Sequence, residues 1–181
     1  MNTYFTEWQT RAADLFDKVY RPLVEFPEAA CLLKASAVLL SAPEGSRPIL
    51  CAGSTHWVRG SGSENGVDYL DYWSYKFIAE EAMRHVFFGN FPEMHCWVYD
   101  LATDTVLDLS GPDQPKQALR LRNVDWGADF LSIPEFIGDK ENYEPEFEAT
   151  KIAITIGQRF HEEFGINGLD FKSSPLSSCP A

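Results

Sequence analysis

The chain has 181 residues, a length that suits one domain because a single hydrophobic core usually spans about 100–200 residues. Hydrophobic residues make up 45% of the sequence and aromatic residues 14%, which is enough apolar material for a packed core and excludes a wholly disordered chain. The formal net charge of −12 disfavours nucleic acids and anionic membranes as partners, since the chain would repel a run of phosphates.

Helical periodicity marks the first part of the chain. Apolar side chains recur at helical spacing from about Thr3 to Tyr20, and prolines then interrupt the pattern. A second helix is predicted over about Glu28 to Ser41. It is apolar nearly all round, which is typical of a helix buried inside a domain.

Strand patterns follow the second helix. Pro48 to Arg59 predicts a strand, and the glycine-rich and serine-rich segment from Gly60 to Gly66 predicts a flexible loop or lid. Residues from Asp71 to Phe88 predict an extended segment that runs into a helix. Two short strands, Met94 to Tyr99 and Thr105 to Leu109, are joined by a turn-forming segment and predict a hairpin.

The last third of the chain is less regular. Ser110 to Gly138 is rich in Pro, Gly and Asp, and Glu146 to Phe164 predicts a closing helix. Because strands and helices do not alternate regularly, we expect an α+β fold with a buried central helix packed on an antiparallel sheet. Residues 1–172 are predicted to form one domain, and residues 173–181 a flexible C-terminal tail.

Several functional classes lack their sequence signature. The glycine motifs of nucleotide-binding loops, the serine-hydrolase elbow and the paired zinc ligands are all absent, so we expect neither a metal nor an organic cofactor. No secretory signal or membrane-spanning apolar run is recognisable, which favours a cytoplasmic protein with four reduced cysteines. The oligomeric state is left open.

Three residues combine into a candidate catalytic site. Cys31 lies near the N-terminus of the predicted buried helix, where the helix dipole favours a thiolate, although a helix that began at Pro27 would place the thiol a full turn inside. His95 opens one strand of the predicted hairpin, and Asp108 lies in the other. An imidazole held by a carboxylate is the group that activates a cysteine nucleophile.

Strand alternation makes a specific demand on this site. Asp108 can share the face of His95 only if opposed residue numbers in the hairpin have an odd sum, as when Asp108 opposes His95 or Trp97. Trp97 and Trp57 are expected to contact substrate or to fill the core. His56 is a rival general base, and Cys96 faces away from His95 and is expected to be core.

Each of the three residues also has a purely structural interpretation. Cys31 is small enough for core packing, His95 suits a bond to backbone, and Asp108 suits a solvated strand end. However, Cys31-Leu32-Leu33, His95-Cys96-Trp97-Val98 and Val106-Leu107-Asp108-Leu109-Ser110 together resemble the transglutaminase-like branch of the papain-like cysteine protease fold. The resemblance covers about residues 26 to 111.

The resemblance implies a cysteine-dependent hydrolase or acyltransferase. It implies Cys31 as the nucleophile, His95 as general base and acid, and Asp108 as the residue that orients His95. A peptide, a protein or a small amide is then the expected substrate. The alternatives are a catalytically inactive binding protein of the same fold and an effector of a phage or secretion system that uses the same triad.

Overall fold

Long helices lie near the beginning and the end of the described residues, with shorter helices between them. The computed structural model describes residues 3–65, 67–87, 92–114, 116–117 and 135–167. Apolar residues at helical spacing form these elements, as the periodicity predicted. They are α1 (Thr3–Leu15), which continues as a π-helical turn over Phe16–Tyr20, α2 (Cys31–Leu40), α3 (Ala79–Phe87) and α4 (Phe147–Phe164).

The strands in the described part of the chain form one antiparallel sheet of six strands, in the order β2-β1-β3-β4-β5, with β6 also paired to β1. The prediction of an α+β fold with an antiparallel sheet is therefore confirmed. The strands are β1 (Pro48–Glu64), β2 (Val67–Tyr75), β3 (His95–Asp100), β4 (Thr105–Leu107), β5 (Ile137–Gly138) and β6 (Tyr143–Pro145).

Helix α2 is buried, and it begins later than the sequence predicted. Eight of its ten residues are buried, and it packs on β3 and against α1. Pro27–Ala29 forms a separate 3₁₀ turn, and Ala30 adopts a non-helical backbone with φ −89° and ψ 48°. The expected start at Glu28 is therefore wrong, and Cys31 is the first residue of the α-helix.

The predicted loop over Gly60 to Gly66 is also wrong. β1 continues to Glu64 and pairs with β2 from Gly60 to Glu64, with an irregularity in the register between Val58 and Gly60. Glycine accommodates such an irregularity because it lacks a side chain. Residues 60–64 are therefore one arm of a β-hairpin.

The other predicted strands and helices lie close to their expected bounds. The hairpin of β3 and β4 is confirmed, as are the extended segment that runs into α3 and the closing helix α4. The segment expected to be irregular contains a 3₁₀ turn at Gly111–Asp113 and strand β5. Its residues 118–134, the domain boundary at residue 172 and the tail 173–181 lie outside the described residues.

Helix α4 covers one face of the long strand β1. The Thr150 hydroxyl bonds both the N–H and the carbonyl oxygen of Ala52, at 3.0 and 3.2 Å. The helix ends where Gly165 adopts a left-handed backbone (φ 64°), which glycine tolerates without steric cost. The two sheet faces thus differ: the helices pack on one, and an aromatic cluster containing Trp57, Trp97 and Tyr143 lies on the other.

Candidate active site

Cys31 lies at the N-terminus of the buried helix α2. It occupies the first helical position, so the unpaired N–H groups and the positive end of the helix dipole lie next to its thiol. The residue is only 6% exposed. The dipole therefore acts on the Cys31 thiol at closer range than a helix starting at Pro27 would allow.

His95 and Asp108 meet through the register of the hairpin. Tyr99 opposes Val106 and Val98 opposes Leu107, which is an odd-sum register. Continued by one pair, it sets Asp108 opposite Trp97 and diagonal to His95. The His95 Nε2 atom lies 2.8 Å from Asp108 Oδ2, and both side chains are 1% exposed.

The Asp108 carboxylate accepts hydrogen bonds at both of its oxygen atoms. The backbone N–H and the hydroxyl of Ser110 donate to Oδ1 at 2.9 and 2.6 Å. The Tyr143 hydroxyl donates to Oδ2 at 2.9 Å, beside His95. Burial alone would raise the pKa of Asp108, but His95, followed by Ser110 and Tyr143, holds this pKa below its ordinary value. The carboxylate is therefore ionised and fixed in orientation.

The Cys31 sulfur contacts two residues of β3. Its thiolate is favoured by hydrogen bonding to the side chain and backbone of Cys96 and by the hydrogen bond and charge of His95. These bonds, with Cys96 the largest contributor, hold the pKa of the Cys31 thiol well below its ordinary value despite its burial. Burial, followed by the contact with Cys31, raises the pKa of Cys96 well above its ordinary value. Cys31 is therefore the thiolate of the pair.

Aromatic rings surround the imidazole of His95. Trp57 meets it edge-on at 5.3 Å between ring centroids, and Tyr75 and Trp97 stack on it at 5.5 and 6.2 Å. Burial lowers the pKa of His95, but the charges and hydrogen bonds of Asp108 and Cys31 outweigh this effect and raise the pKa to about 10. Aromatic faces also favour a cation. The ring is therefore protonated at neutral pH.

The structure thus brings Cys31, His95 and Asp108 together. Because His95 Nε2 is occupied by Asp108, its Nδ1 atom is the ring nitrogen that remains for Cys31. Trp57 and Trp97 are each 2% exposed and pack on His95, so their contact with a substrate stays a prediction.

His56, the rival general base, lies elsewhere. Strand alternation turns it to the face opposite Trp57, where its ring lies 6.0 Å from that of Tyr72. Trp57 is the residue of this pair that contacts His95.

Three contributors were not assigned to the site from the sequence. The strand motif contains Ser110, but the motif does not indicate its bond to Asp108. Cys96 is expected to lie in the core; it does lie there, and it also interacts with Cys31. Tyr143 was missed because it is 35 residues beyond Asp108 and no local pattern links the two. The hydrogen-bond partner of a single tyrosine cannot be inferred from the sequence until the pairing of its strand is known.

The described cysteines are not all in the same oxidation state. Cys31 and Cys96 are free thiols, whereas Cys51 is disulfide-bonded, so the expectation of four reduced cysteines is wrong at Cys51. In the described ranges, no group of three or more His, Cys, Asp or Glu side chains is arranged to hold a metal ion. The same ranges contain no helix long and apolar enough to cross a bilayer.

Comparisons with protein-family models, curated proteins and solved structures give no match for this chain. The interpretation of the site therefore depends on its geometry and chemistry.

Proposed function

We propose that the protein is a cysteine-dependent hydrolase or acyltransferase that acts on an amide or acyl bond. The observation that supports this most strongly is the 2.8 Å contact of His95 Nε2 with the buried Asp108 carboxylate, beside a Cys31 thiol whose pKa is held well below its ordinary value by Cys96 and His95. A nucleophile, a proton carrier and an orienting carboxylate in contact are the parts that covalent acyl transfer requires.

The proposed reaction has two halves. In the first, the Cys31 thiolate attacks the carbonyl carbon, an S–C bond forms, and His95 gives its Nδ1 proton to the leaving amine as the C–N bond breaks. In the second, water or an acceptor amine attacks the thioester, and neutral His95 takes the proton of that nucleophile. The acyl group leaves Cys31, and the thiolate–imidazolium pair is restored. Asp108 keeps Nδ1 directed at the sulfur throughout.

The sequence resemblance agrees with this chemistry. A transglutaminase-like member of the papain-like fold carries its cysteine at the start of a helix and its histidine and aspartate on adjacent strands. This order is also that of Cys31 in α2, His95 in β3 and Asp108 just after β4. The proposed substrate is a peptide, a protein or a small amide, and the proposed chemistry uses no metal.

A second candidate function is a binding protein of the same fold without activity. The burial of His95, at 1% exposed, favours it, because a general acid must reach its substrate. Under this alternative the triad stabilises the fold, and the surface near Cys31 holds a partner without attacking it.

Thiol labelling separates the two candidates. We expect iodoacetamide at about pH 6 to label Cys31 at least about tenfold faster than in His95→Gln, because the thiol loses the imidazolium charge that helps to lower its pKa and is less ionised at that pH. Peptide mass spectrometry distinguishes Cys31 from Cys96. His56→Gln, the same change on the opposite sheet face, is the matched control and should label like the wild type. Equal, slow labelling in all three proteins would favour the binding protein.

A further inference from the structure

An apolar cavity opens beside the proposed nucleophile. It has a volume of 340 Å³, and Cys31 is part of its wall. That volume falls within the range of about 300–1,000 Å³ of sites that hold small molecules. The wall is built from the segment before α2, from α2 itself and from one face of α4. Its larger side chains are Val24, Phe26, Leu33, Ile156 and Phe160.

The described side chains that line this cavity are almost all apolar. Among the described residues that line the cavity, Glu25 is the one that carries a charge. Ala29 and Ala30, directly before Cys31, add methyl groups to this lining. A carboxylate or phosphate group would lose its hydration here, and the charge it would meet in the described lining is the negative charge of Glu25, which disfavours it in the interior.

Phe26 gives an independent sign that the cavity is open to a ligand. It lines the cavity and is nevertheless 42% exposed, whereas Leu33 on the same wall is 7% exposed. An aromatic ring at the mouth of an apolar cavity gains free energy when a second apolar group covers it. The occupant that fits is therefore apolar and enters past Phe26 toward Cys31.

We propose that this cavity, hereafter the acyl pocket, binds the apolar acyl group that becomes attached to Cys31. The inference deepens the proposed function and rests on it, since it names the substrate class as amides or esters of branched aliphatic, aromatic or medium-chain acids. Cys31 lies in the pocket wall, next to Leu32 and Leu33, so the pocket is the apolar space within reach of an acyl group bonded to its sulfur.

Acylation by 4-nitrophenyl esters of increasing chain length tests the pocket. The Cys31 thiolate attacks the ester carbonyl, an S–C bond forms, the C–O bond breaks, and 4-nitrophenolate leaves with the negative charge. The acetate, butyrate, hexanoate and octanoate esters are compared, each normalised to its rate with a free small thiol. We expect the normalised rate for Cys31 to rise at least about tenfold from acetate to hexanoate, because each added methylene that enters the pocket is removed from water.

Two substitutions link this rise to the pocket. Phe26→Ala should reduce the hexanoate-to-acetate ratio at least threefold, with the loss falling mainly on the hexanoate rate. Phe147→Ala removes a ring that is 54% exposed and outside the pocket, so it should change neither value. An unchanged ratio in Phe26→Ala would overturn the proposal, because the rise would then arise elsewhere.

The two proposals fail in different ways. If iodoacetamide labels Cys31 in a His95-dependent manner but chain length has no effect, the acyl pocket is wrong and the cysteine chemistry stands. A rate that does not depend on chain length is also expected if another part of this chain fills the pocket, and the acyl pocket would be wrong in that case as well. If neither reagent modifies Cys31, both proposals are wrong.

Discussion

Tyr143 and His95 donate to the same oxygen atom. Oδ2 of Asp108 accepts from the Tyr143 hydroxyl at 2.9 Å and from His95 Nε2 at 2.8 Å, while Oδ1 is taken by Ser110. Both oxygen atoms of the carboxylate therefore accept hydrogen bonds that hold its orientation. β6, which carries Tyr143, thus fixes the orientation of the imidazole without touching the thiol.

Removal of the Tyr143 hydroxyl should weaken both the fold and the site. Tyr143→Phe takes one donor from a buried carboxylate and also leaves Trp57, which bonds the same hydroxyl, without that partner. We expect a loss of about 1.5–3 kcal/mol in the free energy of unfolding, measured by urea denaturation. We also expect slower labelling of Cys31 at about pH 6, since a mobile Asp108 holds the imidazolium less firmly.

Tyr99→Phe is the matched control for this change. The Tyr99 hydroxyl bonds to Asp104, whose side chain is 74% exposed, so its loss should cost less than about 1 kcal/mol and leave the labelling of Cys31 unchanged. If both variants label Cys31 like the wild type, Tyr143 stabilises the fold but does not position the site.

Asp108→Asn should shift the pH dependence of Cys31 labelling. Asp108 helps to raise the pKa of His95 to about 10, so an amide at this position lowers the pKa of His95 and weakens the imidazolium beside the thiol. The pKa of Cys31, which is depressed in the wild type, then rises. Because a thiolate is lost as pH falls through the thiol pKa, the acid limb of the labelling profile should move to higher pH.

The measurement is the rate of iodoacetamide labelling from about pH 5 to pH 9. Asp104→Asn removes an exposed carboxylate with no contact to the site and should leave the profile unchanged. A profile for Asp108→Asn that overlays the wild type would show that the carboxylate does not control the ionisation of the thiol.

The site was partly predictable because two of its constraints are local. Helix polarity links Cys31 to a helix N-terminus, and strand parity decides whether Asp108 and His95 share a face, so both can be read from short segments. Tyr143 could not be predicted in this way, because β6 pairs with the middle of β1 across a long stretch of chain. Such a pairing depends on tertiary packing.

The predicted loop failed for a related reason. Gly60 and Ser61 have low strand propensity, and their extended conformation is imposed by pairing with Asp71 and Leu70 of β2. The start of α2 was misplaced because a 3₁₀ turn and the first turn of an α-helix share the same residue preferences, including proline at the start.

Gly53→Ala should displace the strand that carries Tyr143. A Cβ atom at Gly53 would overlap the carbonyl oxygen of Glu144 and lie 2.9 Å from the backbone nitrogen of Glu146, so β6 must move away from β1. We expect a cost of about 1–3 kcal/mol or more in the free energy of unfolding. The same shift should slow Cys31 labelling, because the Tyr143 hydroxyl moves with its strand.

Two measurements check this prediction. Urea denaturation gives the stability, and labelling of Cys31 in the remaining folded protein reports the site. Stability and labelling equal to those of the wild type would mean that β1 and β6 approach less closely than the structure has them.

The ion pair of Lys34 and Asp113 should show an unequal response to the loss of each partner. Lys34 Nζ lies 2.5 Å from Asp113 Oδ2, with the lysine side chain 4% exposed and the carboxylate 27% exposed. Asp113→Ala strands a buried ammonium group and should cost more than about 1 kcal/mol. Lys34→Met replaces that group by an apolar chain of similar length and should stay within about 1 kcal/mol of the wild type, or exceed its stability.

Urea denaturation of both variants, with unchanged slope, checks the prediction. Lys116→Met, which removes the 75% exposed lysine from the same carboxylate, is the control and should have little effect. If Lys34→Met loses as much stability as Asp113→Ala, the attraction within the pair exceeds the desolvation of the ammonium group. The buried lysine would then stabilise α2, the helix that presents Cys31, instead of being a tolerated charge.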